Sequence, residues 1–191
     1  MPVYALTHRN DKLKNCIVTS VSIKDPITGA VADTSGIWDT GATNSVITKK
    51  KAQELGLKPV SMARVLGVHG AKQVPVYLVT ITLNNQNISL TTQVTECEEL
   101  SGDGKEVGML IGMNIINMGD FAISNYNGET YMTFRVPSLE QIDYVKEIAE
   151  FNHCLTVHKV NVSRKIADKC ACKSGKDFKN CHGNSVYAKA K

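Results

Sequence analysis

Asp39-Thr40-Gly41-Ala42 constrains the fold of this chain more than any other stretch, because of what lies on either side of it. Upstream, residues 30–38 read as extended chain ending in Ile37-Trp38. Downstream, Thr43-Asn44-Ser45-Val46-Ile47-Thr48 reads as a return strand, and Lys49 to Leu55 as a helical run. Gly56 closes that run, as helix C-termini prefer. The carboxylate is thus expected on a tight loop between two apolar strands. Thr, Gly and Ala are small enough to admit a second backbone close by. Such a position suits one catalytic Asp facing another, yet the chain offers a single loop of this kind. The near-copy Asp33-Thr34-Ser35-Gly36 interrupts the Asp-Thr-Gly order with Ser, and no apolar strand leaves it for a second loop. It is expected to be a polar bend.

At 191 residues the chain suits one core domain with an appendage. Val, Ile and Thr are frequent, as strands prefer. No run of about 18 apolar residues exists, so no membrane partner is expected. The start, Met1 to Arg9, alternates and carries charge early, unlike a signal peptide, and a cytoplasmic location is expected. Residues 155–191 hold nine Lys or Arg against two Asp, a net +7 in a chain of +4, so residues 1–154 carry −3. That division suggests two modules with different partners. Cysteines divide the same way: Cys16, Cys97 and Cys154 are scattered, while Cys170, Cys172 and Cys181 crowd together. In a reducing compartment the crowded trio reads better as a metal site than as disulfides.

Along the chain, residues 3–8 and 16–23 read as strands, with a Pro/Gly turn at Asp25-Pro26-Ile27-Thr28-Gly29. Ser61 to Val68 and Val74 to Leu83 form two β runs around Gly67-Val68-His69-Gly70, and Ile88 to Val94 a further strand. Glu96 to Glu106 is acidic, contains two glycines and is expected to be a mobile surface loop. Residues 121–123 and 131–134 flank the turn Asn125-Tyr126-Asn127-Gly128. Ser138, with Gln141 three residues on, reads as the N-cap of a helix running to Asn152. A connector leads to the cysteine cluster.

Ile37-Trp38-Asp39-Thr40-Gly41-Ala42, followed by Ser45-Val46-Ile47 and, about 70 residues on, by Val107-Gly108-Met109-Leu110-Ile111-Gly112-Met113-Asn114-Ile115-Ile116, resembles the retropepsin-like aspartic proteases. These are the single-lobe, homodimeric relatives of pepsin, and the resemblance covers residues 1–136. It implies a mainly β chain with the closed β-barrel of the acid protease fold, in which the second motif supports the catalytic loop. It also implies a homodimer, with Asp39 of each subunit at the two-fold axis. Thr40 would bond across the axis, Gly41 would leave room for substrate, and Ala42 would border a side-chain pocket. Gly67, Val68, His69 and Gly70 would form the tip of a flap over a peptide bound in extended conformation. No cofactor is implied for catalysis. Viral members dimerise largely through their chain termini, whereas here the chain continues for over 50 residues beyond the last expected strand. The helix from Ser138 either replaces that terminal sheet or caps the fold.

Cys170-Ala171-Cys172-Lys173-Ser174-Gly175-Lys176-Asp177-Phe178-Lys179-Asn180-Cys181-His182-Gly183 resembles the SEC-C motif, a zinc knuckle also found at the tail of the preprotein-translocase motor. Three thiolates and one imidazole make a closed tetrahedral set, which is structural zinc. Cys170, Cys172, Cys181 and His182 would be the ligands, and Lys173, Lys176 and Lys179 would offset their excess charge. So short a segment cannot bury its own core, so metal binding would fold it. The expected organisation is a protease domain over 1–136, a helix and connector over 137–168 and a zinc knuckle over 169–184. By the same resemblance, the knuckle's partner would be a protein or a ribosome. The function expected is a homodimeric aspartic endopeptidase. Its rival is a non-catalytic adaptor that holds peptides in the same cleft, and a nucleic-acid-associated factor draws only on the basic tail.

Overall fold

The computed structural model describes residues 2–67, 70–83, 85, 87–102, 104–149, 152, 169–170, 174–177 and 180–181. Among the described residues of the first 140 there are twelve strands, two short α-helices and a 3-10 turn at Tyr126–Gly128. The strands and helices are β1 (Tyr4–Asn10), β2 (Val18–Lys24), β3 (Val31–Trp38), β4 (Val46–Thr48), α1 (Lys49–Glu54), β5 (Ser61–Gly67) and β6 (Gly70–Thr82). There follow β7 (Ser89–Cys97), β8 (Ser101–Gly102), β9 (Lys105–Glu106), β10 (Met109–Ile111), α2 (Met113–Ile116), β11 (Asp120–Ser124) and β12 (Thr130–Val136). The chain divides into two compact units, Met1–Glu140 and Gln141–Lys191. No helix among the described residues is long and apolar enough to cross a membrane.

The first unit is mainly β, as expected. Seven strands form one sheet in the order β2-β3-β10-β4-β7-β6-β5, and β2 also pairs with β6. A second sheet has the order β1-β12-β11. The strands exist because their apolar side chains alternate inward, with Val21 and Ile23 of β2 and Val79 and Ile81 of β6 buried between exposed or half-buried neighbours. The sheets share one core, in which Ile47, Met109, Ile111, Met132 and Phe134 are at most 1% exposed. Trp38 joins them: its ring stacks on Phe121 of β11 at 5.4 Å and meets Phe134 of β12 at 5.2 Å. Its indole N–H donates to buried Thr19 Oγ1 at 2.9 Å. The lone tryptophan is therefore a packing residue with its one polar group satisfied.

Helix α1 follows the expected plan. Thr48 Oγ1 accepts from the Lys51 N–H as N-cap, and Gly56 ends the helix at φ +64°, where a side chain would be strained.

Four expectations need correction. Asp33-Thr34-Ser35-Gly36 is no bend but the middle of β3, paired with β2 residue for residue from Val31↔Lys24 to Ile37↔Val18. Pairing with β2 throughout, and on the other side from Ser35 onward, overrides the local polar signal. The return strand is shorter than expected, because 43–45 bends over Gly112 and only Val46–Thr48 is strand. The acidic segment after Glu96 is structured: β7 runs to Cys97, and β8 and β9 form a small hairpin. Gly102 lies buried there, where an added Cβ would sit 3.0 Å from the side chains of Ile37 and Val18. Ser138 is no N-cap. Its hydroxyl donates to Asp120 Oδ1, and helical residues start at 144, capped by Asp143 Oδ1 accepting from the Lys146 N–H at 3.1 Å. An ionised carboxylate is also the better partner for a helix N-terminus.

Candidate active site

β10 determines the site. It pairs in parallel with β3 (Met109↔Gly36 to Ile111↔Trp38) and antiparallel with β4 (Met109↔Ile47, Leu110↔Val46). The loop 39–45 must therefore cross over the end of β10, where Gly112 stands. A Cβ at Gly112 would lie 2.6 Å from the Asn44 carbonyl group and 2.9 Å from Ala42 O, so only glycine fits beneath this loop.

Asp39 sits where the β3 ladder ends. Its N–H donates to Ile111 O at 3.0 Å, which ties it to β10. Its Oδ1 accepts the Gly41 N–H at 2.8 Å, a turn that orients the carboxylate. A Cβ at Gly41 would approach that oxygen to 3.2 Å. Asp39 is half-buried, Thr40 and Gly41 are exposed, and Ala42 is half-buried. The structure thus brings Asp39, Thr40, Gly41 and Ala42 together in one loop with its carboxylate reachable.

The rest of the loop is tied down from α2. Met113 N–H donates to Ala42 O at 2.8 Å and Asn114 N–H to Thr43 O at 3.1 Å. Ser45, wholly buried, sends both its N–H (2.8 Å) and its hydroxyl (2.7 Å) to Asn114 Oδ1, while its Oγ accepts the Gly112 N–H at 3.0 Å. The role of Ser45 and Asn114 was not visible from the sequence. Their signal was only that a small hydroxyl residue follows the loop and an amide follows the glycine.

The segment expected to form a flap includes an antiparallel strand pair. β5 and β6 pair from Ser61↔Val76 to Gly67↔Gly70. Val68 and His69 lie outside the described residues. A groove of about 950 Å³ is bordered by Ser20, Ser22, Asp33, Ser35 and Glu106, on the β2–β3 face, and does not include Asp39. A cysteine nucleophile finds no support at Cys97: burial, then Glu96 and Glu98, push its thiol up to about 11.

In the second unit, Lys169 bridges antiparallel to Asp177, and the Cys170 N–H donates to Lys176 O at 2.8 Å. Cys170 is buried, and Ser174 Oγ lies 3.4 Å from Cys181 Sγ. Cys172 and His182 lie outside the described residues. Among the described residues, no group of three His, Cys, Asp or Glu side chains is gathered as for a metal.

The sequence model of one family, described as Aspartyl protease, matches residues 20–115, half of the chain. No curated protein matches the sequence. Among solved structures, the chain is similar to a retropepsin-like aspartic protease from Rickettsia conorii, at 11% identity and TM-score 0.44, covering 71% of this chain and 97% of that one. It is similar to the retroviral protease-like domain of Ddi1 from Leishmania major, at 16% identity and TM-score 0.41, over 66% of this chain and 97% of that one. A third is the simian foamy virus protease, at 19% identity and TM-score 0.36, over 52% of this chain and 91% of that one.

Proposed function

The chain belongs to the aspartyl protease family, and from that premise we propose that it is an aspartic endopeptidase assembled from two identical subunits. The observation that carries this reading is the Asp39 loop itself. A carboxylate oriented by the Gly41 N–H stands at a strand end, over a glycine that fits nothing larger, and residues 20–115 supply it once. Peptide hydrolysis by carboxylates alone needs two of them sharing a proton, because two anions that close cannot both ionise cheaply. A single loop per chain then requires a two-fold axis, with the partner subunit supplying the second carboxylate.

In that pair the ionised Asp39 takes a proton from water as the water attacks the scissile carbonyl. The protonated Asp39 donates to the carbonyl oxygen. Thr40, exposed beside Asp39, faces the axis, and Gly41 and Ala42 border the bound peptide. The β5–β6 hairpin, with Val68 and His69 at its tip, covers an extended substrate strand. The pairing of β2 with β6 supports a closed barrel beneath it.

The same reading assigns structural zinc to the C-terminal segment. Cys170, Cys172, Cys181 and His182 would hold it, and the zinc would supply folding energy there and no catalysis. Among the described residues of that segment, Ser174 Oγ lies 3.4 Å from Cys181 Sγ and the Cys170 N–H donates to Lys176 O. The knuckle serves to dock a protein or ribosomal partner, in a cytoplasm that keeps its thiols reduced.

A mixed peptide library incubated from mildly acidic to neutral pH tests the activity. Wild type should yield fragments that Asp39→Asn does not. Identical products from both would remove the catalytic claim, and peptide binding without cleavage would leave the adaptor in its place. Metal analysis should find about one zinc per chain, lost in Cys181→Ala. An unchanged zinc content would discard these ligands.

A further inference from the structure

We propose that Asn114 is a positioning residue. Its amide oxygen, acting through Ser45, holds the Asp39 loop at the separation from the partner subunit's loop that lets two carboxylates share one proton. The proposal rests on the dimeric endopeptidase reading above.

Asn114 Oδ1 is the acceptor for both polar hydrogens of Ser45, its N–H at 2.8 Å and its hydroxyl at 2.7 Å. Ser45 Oγ in turn accepts the Gly112 N–H at 3.0 Å, so the end of the loop and the start of α2 close into a ring of bonds. Ser45 is 0% exposed, so water cannot replace a lost acceptor, and both donors would be left buried and unpaired. The backbone bonds from Met113 to Ala42 and from Asn114 to Thr43 survive any change of side chain. The loop would then stay attached but loosen at Ser45. The partners lie 69 residues apart in sequence, so this ring couples the loop to a separate segment of chain.

The charge environment makes such loosening readable. Asp39 is the only ionisable side chain in residues 37–48, and residues 107–119 contain none. On β7, packed beside β4, Glu96 accepts the Tyr77 hydroxyl at 2.6 Å, and Cys97 and Glu98 follow it. No charge moves when Asn114 changes to an apolar residue. The width of the pair's titration therefore reports the distance between carboxylates. Closer carboxylates split their two proton steps further apart, and looser ones let the steps converge.

The test is the pH profile of kcat/KM for the full chain on one peptide that wild type cuts. Asn114→Leu should narrow the bell by about one pH unit or more and lower its maximum by about 10- to 100-fold, mostly in kcat. Asn114→Asp keeps the acceptor but adds an ionisable group, so only its maximum is read, and that should lie above the maximum of Asn114→Leu. Thr92→Val removes only the acceptor of the Asn114 Nδ2–H, 3.5 Å away, and should leave the width unchanged. If Asn114→Leu fails to fold, Ser45→Ala takes its place and should narrow the bell by a smaller amount. A bell of wild-type width in either folded variant overturns the proposal while the endopeptidase reading stands. A wild-type protein that cuts no peptide overturns both.

Discussion

Asp33-Thr34-Ser35-Gly36 and Asp39-Thr40-Gly41-Ala42 lie six residues apart and share most of their letters, yet they occupy opposite situations. The first is the interior of β3, with β2 on one side and Ser35 O accepting the Gly108 N–H on the other. Its Asp carbonyl accepts from Lys51 Nζ at 3.3 Å. The second begins where that ladder stops, so its backbone can turn and its carboxylate can take the Gly41 N–H. Composition does not make the second a site. A strand end does, together with a glycine from elsewhere in the chain that lets the loop cross over it.

The largest effect that tests this contrast is on activity. Asp39→Asn should lower cleavage by about 10³-fold or more, while Asp33→Asn should stay within about twofold of wild type. Comparable losses in the two would erase the distinction between them.

Next come the glycines beneath each stretch. Gly112→Ala forces a Cβ against the Asn44 backbone, which cannot yield cheaply, and should cost about 1–3 kcal/mol in urea unfolding. Gly36→Ala meets side-chain carbons of Ile111 and Val21 at 3.1 and 3.2 Å, which can shift, and should cost less. An inverted order would show that the loop is not seated on Gly112.

Smaller again are the anchors. Trp38→Phe keeps a ring against Phe121 and Phe134 but strands the buried Thr19 hydroxyl, for a loss of about 1 kcal/mol. Lys51→Met, at the Asp33 carbonyl, should stay within about 1 kcal/mol of wild type. Thermal melts followed by circular dichroism rank the two.

These contrasts also show what local sequence carries. The strands β2 and β6 were legible because their apolar residues alternate, and α1 because Thr48 and Gly56 bracket it. The Asp39 loop was legible because small residues separate a pair of apolar runs. Asp33-Thr34-Ser35-Gly36 was misread because its strand pairing is set from outside the stretch: Asp33 pairs with Ser22 of β2, and Gly36 with Met109 of β10. Ser138 was misread for the same reason: Asp120 takes its hydroxyl, 18 residues away. The Ser45–Asn114 ring was invisible because neither residue signals the other. Of the remaining site residues expected, Val68, His69, Cys172 and His182 fall outside the described residues.

The smallest effect lies away from both stretches, where the chain leaves β12. Asp120, accepting from Ser138, the Leu139 N–H and Arg135, is held down to about 2 from an ordinary 3.8. A depressed carboxyl stabilises the fold in full above its unfolded value and loses that contribution as pH falls toward about 2. Asp120→Asn should therefore lower the melting temperature at neutral pH by a small amount and converge on wild type below about pH 4, so that its curve falls less steeply with acid. A variant whose melting temperature falls as steeply as wild type would show that this contact does not anchor the exit.

The central claim is that one acid per chain becomes a pair across a two-fold axis, and mixing tests it most directly. Wild type and Asp39→Asn, unfolded together and refolded at a fixed total concentration, should lose activity as the square of the wild-type fraction, to about one quarter at equal amounts. Activity falling in simple proportion, to about one half, would mean that each chain works alone and that the pair does not exist.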